Sequence, residues 1–88
     1  MYEASYSEEI TKKLKRLKKR DSGQYEAVRK KMRQILENPS HRFKELRYEF
    51  GGVCRVHIGH FVLVFTVDDD KRTISFEDYD HHDKIYLN

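Results

Sequence analysis

The sequence predicts an α+β fold in which an N-terminal strand and a helical hairpin pack on a mostly antiparallel sheet of four or more strands. Two patterns predict it. Apolar residues recur at helical spacing in the first half of the chain, and short apolar runs bounded by glycine or aspartate turns fill the second half. The apolar side of a helical hairpin needs a sheet to cover it. Because 88 residues fit within one ordinary domain, we expect residues 1–88 to form a single unit.

The first half of the chain predicts one strand and two amphipathic helices. Residues 2–6 are compatible with a strand, after which Ser5 or Ser7 can cap a helix that runs to about residue 19. A break at residues 21–23 offers a cap for a second helix, which ends at residues 38–39. The apolar stripe of the first helix is Ile10, Leu14 and Leu17, and that of the second is Tyr25, Val28, Met32, Ile35 and Leu36.

The second half predicts four strands in a meander. Cys54, Val56 and Ile58 alternate to one face of a strand, as in a sheet with one buried face. Residues 61–67 form a continuous apolar run, which is typical of a central strand buried on both faces. The predicted strands are residues 46–50, 53–58, 61–67 and about 73–79, followed by a polar cluster at residues 80–84 and a tail at residues 85–87.

Composition argues against membrane and disulfide-stabilised classes of protein. No run of about 18 apolar residues and no charged, apolar leader is present, so we expect a cytoplasmic protein without a membrane span. The single cysteine, Cys54, cannot form an internal disulfide. Its position in a strand predicts a small buried hydrophobe, with a catalytic thiol as the alternative.

Charge is distributed unevenly along the chain. Residues 1–33 carry 11 Lys or Arg against 5 Asp or Glu, whereas residues 34–88 carry 7 against 10. A basic helical half attached to a mildly acidic remainder favours a polyanion or an acidic protein segment as partner. The alternative is an ordinary solvated helix face.

Three segments of the chain resemble one known family. They are Glu37-Asn38-Pro39 after the second helix, the run from Leu46 through Gly52 and Val53 to Val62, and the closing Asp80-His81-His82-Asp83-Lys84-Ile85-Tyr86. Their order and spacing resemble the RelE/ParE toxin superfamily over nearly the whole chain.

The resemblance implies a microbial RNase-like fold, with helices packed on a curved antiparallel sheet whose concave face holds the site. RelE members of the superfamily enter the ribosomal A site and cleave mRNA, whereas ParE members poison DNA gyrase and lack the RNase residues. Both kinds are normally silenced by an antitoxin that wraps the toxin. The antitoxin also binds operator DNA, so the resemblance implies contact with DNA only through the antitoxin complex.

The resemblance also implies a set of site residues. Arg55 stands where many RelE toxins have a basic residue that meets the scissile phosphate, and His57 stands at a position that is also often basic. His82 and Tyr86 match a closing pattern in which Arg or His is followed four residues later by an aromatic residue. The basic residue common in the fourth strand is replaced by Val62.

Ribonuclease chemistry of this type needs a base for the ribose 2′-hydroxyl, cations around the phosphate and an acid for the departing 5′-oxygen, and it requires no metal or cofactor. Our preferred assignment is Arg55 for phosphate charge and His82 as general acid or base. Tyr86 positions the RNA, and His57 or His81 supports the proton transfer. Lys44 and Arg47 are candidates for contact with the RNA backbone phosphates, and the basic helix residues Lys12, Lys15 and Lys19 are candidates for binding ribosomal RNA.

Three other readings of these residues stay open. Asp80, His81, His82 and Asp83 could form a transition-metal site, although adjacent residues of a strand point to opposite faces. A gyrase inhibitor of the ParE kind is a second reading, which the histidines disfavour. A degenerate module that only binds its antitoxin or RNA is the third, and Val62 favours it.

Overall fold

The computed structural model describes residues 1–39, 47–48 and 52–86 of the protein, with residues 47, 48 and 86 described by their backbone alone. The described elements follow the predicted order of one strand, two helices and four strands, with one helix more at the end. They are β1 (Glu3–Tyr6), α1 (Glu8–Arg20), α2 (Ser22–Glu37), β2 (Arg47–Tyr48), β3 (Val53–Ile58), β4 (Phe61–Asp68), β5 (Thr73–His81) and α3 (His82–Tyr86).

Within the described residues, five strands form one sheet in the order β1-β5-β4-β3-β2. Strand β1 is parallel to β5, and the other neighbouring strands are antiparallel. The parallel pair arises because the helical hairpin carries the chain away from the sheet between β1 and the meander. Strand β4 lies in the middle, as its continuous apolar sequence predicts. The predicted α+β architecture is confirmed.

Two side chains close the ends of the helical hairpin. Ser7 caps α1, because its hydroxyl oxygen accepts a hydrogen bond from the backbone N–H of Ile10 at 3.0 Å. Asp21 ends α1 and also caps α2 by accepting from the backbone N–H of Gln24 at 3.1 Å. One residue therefore serves both helices, which keeps the turn of the hairpin tight.

The main core lies between the hairpin and one face of the sheet. Cys54, Val56 and Ile58 of β3 are buried there, as the alternation predicts. Burial raises the pKa of the Cys54 thiol, which disfavours the nucleophilic thiolate and hence the catalytic-thiol alternative. The helices contribute Ile10, Val28, Met32 and Ile35, and β4 and β5 contribute Leu63, Phe65, Ile74, Phe76 and Tyr79.

The C-terminal segment differs from its prediction. Strand β5 continues to His81 because Asp80 and His81 still pair with Val62 and Phe61 of β4. The residues that follow form helix α3, where the sequence predicted a polar cluster and a tail. The reason is that Ile85 is buried at 8% exposure, and this contact stabilises a helical turn that its polar neighbours do not predict.

The predicted strand at residues 46–50 is described only at Arg47–Tyr48, where it pairs with β3; its other residues lie outside the described part of the chain. No helix in the described ranges is both long and apolar enough to cross a membrane.

Candidate functional site

The two faces of the sheet carry different side chains. On β3, Cys54, Val56 and Ile58 face the hairpin, so Arg55 and His57 lie on the opposite face, which we call the open face. Both side chains are half-buried. The Nε atom of Arg55 is shielded from solvent.

Strand register aligns two rows of residues across the open face. One row joins His57 of β3 to Val62 of β4 and Asp80 of β5. The next row joins Arg55 to Val64 and Asp78 by the same pairing. Directly paired residues of neighbouring strands share a face of the sheet. The open face therefore presents cationic and imidazole groups on one side and two carboxylates on the other.

Helix α3 covers part of the open face. Val62 is fully buried although it faces away from the hairpin, and Ile85 is buried without belonging to the main core. The helix contacts β4 and β5, and the backbone N–H of its first residue, His82, donates to the carbonyl oxygen of His60 at 2.9 Å. Two apolar side chains and one backbone hydrogen bond thus fix the start of α3 against the sheet.

This docking brings His82 to His57. The centroids of their imidazole rings are 5.6 Å apart, with the ring planes inclined by 36°. The His82 side chain is half exposed, and its Nδ1 atom lies 3.5 Å from a carboxylate oxygen of Asp83. Two imidazole groups therefore stand side by side on the face that carries Arg55.

His81 lies apart from this pair. It is paired with Phe61, its ring meets the Phe61 ring edge-on at 5.5 Å, and it stacks on the His60 ring at 6.3 Å. Its side chain points to the hairpin side because adjacent strand residues point to opposite faces. Among the described residues, no group of three or more His, Cys, Asp or Glu side chains is arranged to hold a metal ion.

The remaining predicted site residues lie on α1, on β2, at the end of α3 and outside the described residues. Lys44 lies outside the described residues, and the side chains of Arg47 and Tyr86 do too. The backbone of Arg47 is paired with that of Arg55, so the two arginines are cross-strand neighbours. Three lysines of α1 are exposed at spacings of three and four residues, which gives one face of the helix. They are Lys12, Lys15 and Lys19.

The sequence did not predict one ionic cluster at the rim of the open face. The Nζ atom of Lys13 lies 2.7 Å from Asp78 and 2.8 Å from Asp80, and 3.6 Å from Glu9 on its own helix. This cluster connects α1 to β5 between residues that are 65 and 67 positions apart in the chain. Its only sequence signal is the alternation of the two aspartates, which does not identify a partner.

The cluster shifts both of its main members toward the charged form. Burial alone would lower the pKa of Lys13, but its hydrogen bonds to Asp78 and Asp80 outweigh that effect and raise the pKa. Burial alone would likewise raise the pKa of Asp80. The hydrogen bonds from Lys13 and from the backbone N–H of His81 outweigh it, so the pKa of Asp80 is lowered.

Comparison with known proteins identifies relatives over nearly the full length. Residues 4–86 match the family model described as ParE toxin of type II toxin-antitoxin system, parDE. An uncharacterised protein of Methanosarcina mazei is 46% identical over 87 residues, which are 98% of this chain and 100% of that protein. A protein of Methanocaldococcus jannaschii with the provisional name toxin RelE4 is 47% identical over 87 residues, which are 98% of this chain and 92% of that protein.

Solved structures agree in fold at low sequence identity. The isolated RelE toxin of E. coli has a TM-score of 0.77 at 20% identity, covering 99% of this chain and 93% of that one. A chain of the intact E. coli RelBE toxin-antitoxin complex has a TM-score of 0.73 at 19% identity, covering 92% of this chain and 96% of that one. The order of helices and strands in this chain is thus similar to that of RelE.

Proposed function

The chain belongs to the ParE toxin family of type II toxin-antitoxin systems, within the RelE/ParE superfamily, and we propose that it is a ribosome-dependent endoribonuclease that cleaves mRNA. The observation that carries the proposal is the approach of the His57 and His82 rings to 5.6 Å on the face that also bears Arg55. A non-catalytic inhibitor has little need for two adjacent imidazoles beside a cation.

The proposed reaction is attack of a ribose 2′-hydroxyl on the adjacent phosphate. One of the two imidazoles removes the 2′-hydroxyl proton, and the 2′-oxygen forms a bond to phosphorus. The bond from phosphorus to the 5′-oxygen breaks, and the other imidazole, as imidazolium, protonates that oxygen. The products are a 2′,3′-cyclic phosphate and a free 5′-hydroxyl. Arg55 stabilises the negative charge that accumulates on the phosphate.

The remaining residues serve positioning in this proposal. Tyr86, which follows His82 by one helical turn of α3, stacks on a base or hydrogen bonds to the phosphate. Arg47 and Lys44 contact the RNA backbone, and the exposed lysines of α1, which are Lys12, Lys15 and Lys19, bind ribosomal RNA. The site of action is then the cytoplasm, where translating ribosomes are found.

An antitoxin is the proposed protein partner. The E. coli relative in the RelBE structure is a member of a toxin-antitoxin complex, and this chain shares its fold. The small core and the basic helices favour a stabilising partner with acidic segments. Operator DNA would be bound only through the antitoxin. Co-purification with the product of an adjacent reading frame tests this pairing.

Two observations favour other functions. The matching family model is named for ParE, and ParE toxins inhibit gyrase. The position that is commonly basic in RelE toxins is Val62, which is fully buried here and offers no cation to the phosphate, as in a module that only binds. Supercoiling assays distinguish gyrase inhibition from mRNA cleavage, because gyrase inhibition predicts loss of DNA supercoiling with intact mRNA.

The deciding experiment is primer extension on a reporter mRNA in a ribosome-containing extract. Wild-type protein is compared with the Arg55→Ala, His82→Ala double variant and with an Arg29→Ala, His60→Ala control, which removes the same residue types at exposed positions away from the open face. We expect cuts in the coding region that need translation and disappear only in the first variant. Intact mRNA with folded wild-type protein would refute the proposal.

A further inference from the structure

A concave surface lies beside α1, near the end of β5 and the start of α3. A groove of about 570 Å³ runs between α1, the start of α2 and the adjoining ends of β4 and β5. We call it the α1–β5 groove. Its walls include Arg16 and Arg20 of α1, Phe61 of β4 and Lys84 of α3. This volume falls in the range of about 300 to 1,000 Å³ that is usual for small-ligand sites.

The electrostatics of the groove favour an anion. Four cationic and two acidic side chains line it, and Lys13 neutralises the acidic Asp80 through its 2.8 Å contact. The other carboxylate belongs to Asp21, which accepts the N-terminal backbone hydrogen bond of α2. Arg16 and Arg20 are exposed and four residues apart, so their guanidinium groups project from one face of α1. These two guanidinium groups make the net charge of the groove positive.

The floor of the groove is aromatic. The ring of Phe61, which is partly exposed, stacks on Tyr79 with centroids 5.1 Å apart and planes inclined by 9°. The Tyr79 hydroxyl accepts a hydrogen bond from the side-chain amide of Gln24 at 2.8 Å, which holds the lower ring in place. A fixed aromatic surface beside guanidinium groups is the combination that binds unpaired nucleotides by stacking and phosphate contact.

The groove is continuous with the open face. Asp80 lines the groove and also belongs to the cross-strand row that contains His57. Lys84 lines the groove and follows His82 by two residues on α3. The groove therefore borders the open face at Asp80 and Lys84.

We propose that the α1–β5 groove binds a nucleotide of single-stranded RNA next to the cleaved bond, with a base on Phe61 and phosphate on Arg16 and Arg20. This assignment rests on the proposed function, since the groove would bind the part of the same RNA substrate that lies next to the cleaved bond. An acidic peptide fits this groove less well. The large apolar side chains exposed within the described residues are Met1 and Tyr6, and both line a different groove, beside α2.

The test measures binding separately from cleavage. A fluorescein-labelled, fully 2′-O-methylated RNA oligonucleotide cannot undergo 2′-hydroxyl attack, so its anisotropy reports binding alone. It is titrated with wild-type protein, with Arg16→Gln, Arg20→Gln, and with the charge-matched control Arg29→Gln, Arg33→Gln. Both variants remove two arginines from exposed helix positions, so the fold is retained and non-specific attraction falls equally.

We expect the Arg16, Arg20 variant to raise Kd at least about tenfold, because each lost charged hydrogen bond weakens binding severalfold. The control pair should raise Kd by about twofold or less. Phe61→Leu should raise Kd about fivefold or more through lost stacking. Equal weakening by the two arginine pairs, or binding of a poly-glutamate peptide to the groove in place of the RNA, would overturn the assignment.

The outcomes also separate this inference from the proposed function. If wild-type protein cleaves mRNA and the Arg16, Arg20 variant binds RNA as tightly as wild type, the groove assignment is refuted and the proposed ribonuclease function is retained. If RNA binding depends on the groove but wild-type protein cleaves no mRNA, the ribonuclease function is refuted and the protein is an RNA-binding protein.

Discussion

The imidazole of His57 on β3 and that of His82 on α3 lie with their centroids 5.6 Å apart, although the whole of β4 and β5 separates the two residues in the chain. Only the docking of α3 on the open face brings the two rings together. The proposed chemistry thus depends on a five-residue helix that is held by one backbone hydrogen bond and by buried Ile85.

The two histidines should act as one unit. Because one imidazole is the proposed base and the other the proposed acid, His57→Ala or His82→Ala should each lower the single-turnover cleavage rate about a hundredfold or more. The double variant should lose much less than the product of the two effects. His60→Ala, at an exposed turn position, is the matched control. A folded His82→Ala protein that cleaves at the wild-type rate would contradict the assignment.

Removing the anchor of α3 should cost activity more than stability. Ile85→Ala should lower the free energy of unfolding by about 2 kcal/mol or less, because α3 can detach locally. Cleavage should nevertheless fall strongly as His82 leaves His57. Ile35→Ala is the matched control: Ile35 lies in the main core, so we expect a cost of about 2 to 5 kcal/mol with activity retained while the protein stays folded. Urea denaturation and cleavage assays measure both quantities, and the reverse pattern would refute the anchoring role.

Introducing a cation at Val62 should destabilise the protein. Val62 has no exposed surface, so Val62→Lys buries an amine or expels α3, at a cost of more than about 2 kcal/mol. Val64→Lys adds the same side chain one row away at a half-buried position beside Arg55, and it should cost much less. Thermal unfolding compares the two variants. Equal stability of both would show that α3 does not seal Val62.

The Lys13 cluster should make stability sensitive to pH at both extremes. The pKa of Asp80 is lowered from 3.8, so its contribution is present above that value and lost as the pH falls through its folded pKa. The pKa of Lys13 is raised from 10.5, so its contribution is present below that value and lost as the pH rises through its folded pKa.

Lys13→Met should therefore flatten both limbs of the stability profile. We expect a loss of about 1 kcal/mol at neutral pH, a small value because the cluster is partly solvated. Lys12→Met, which changes an exposed lysine of the same helix, should leave the profile unchanged. Urea unfolding at a series of pH values measures the profile, and a Lys13→Met profile parallel to that of wild type would exclude the cluster as its source.

Local patterns in the sequence were sufficient to predict β1, α1, α2, the strands of the meander and most of the core, but not helix α3. The stripe that contains Ile10 predicts α1, and the alternation from Cys54 to Ile58 predicts which side of β3 is buried. Both follow from the fixed periods of helix and strand, which depend only on residues a few positions apart. The same alternation separates Arg55 and His57 from the core, so the open face was also readable from the sequence.

Tertiary structure alone decided which of the candidate side chains meet. The sequence offered His57, His81 and His82 together, and only the ends of β5 and α3 divide them between the two faces. The contact of Lys13 with Asp78 and Asp80 likewise joins residues far apart in the chain. Such contacts depend on the register of strands and on the docking of a short helix, and many different packings are compatible with one local pattern. The sequence by itself therefore determined the strands, the helical hairpin and their buried sides, whereas helix α3 and its packing with α1 and β5 were decided by tertiary structure and determine the site.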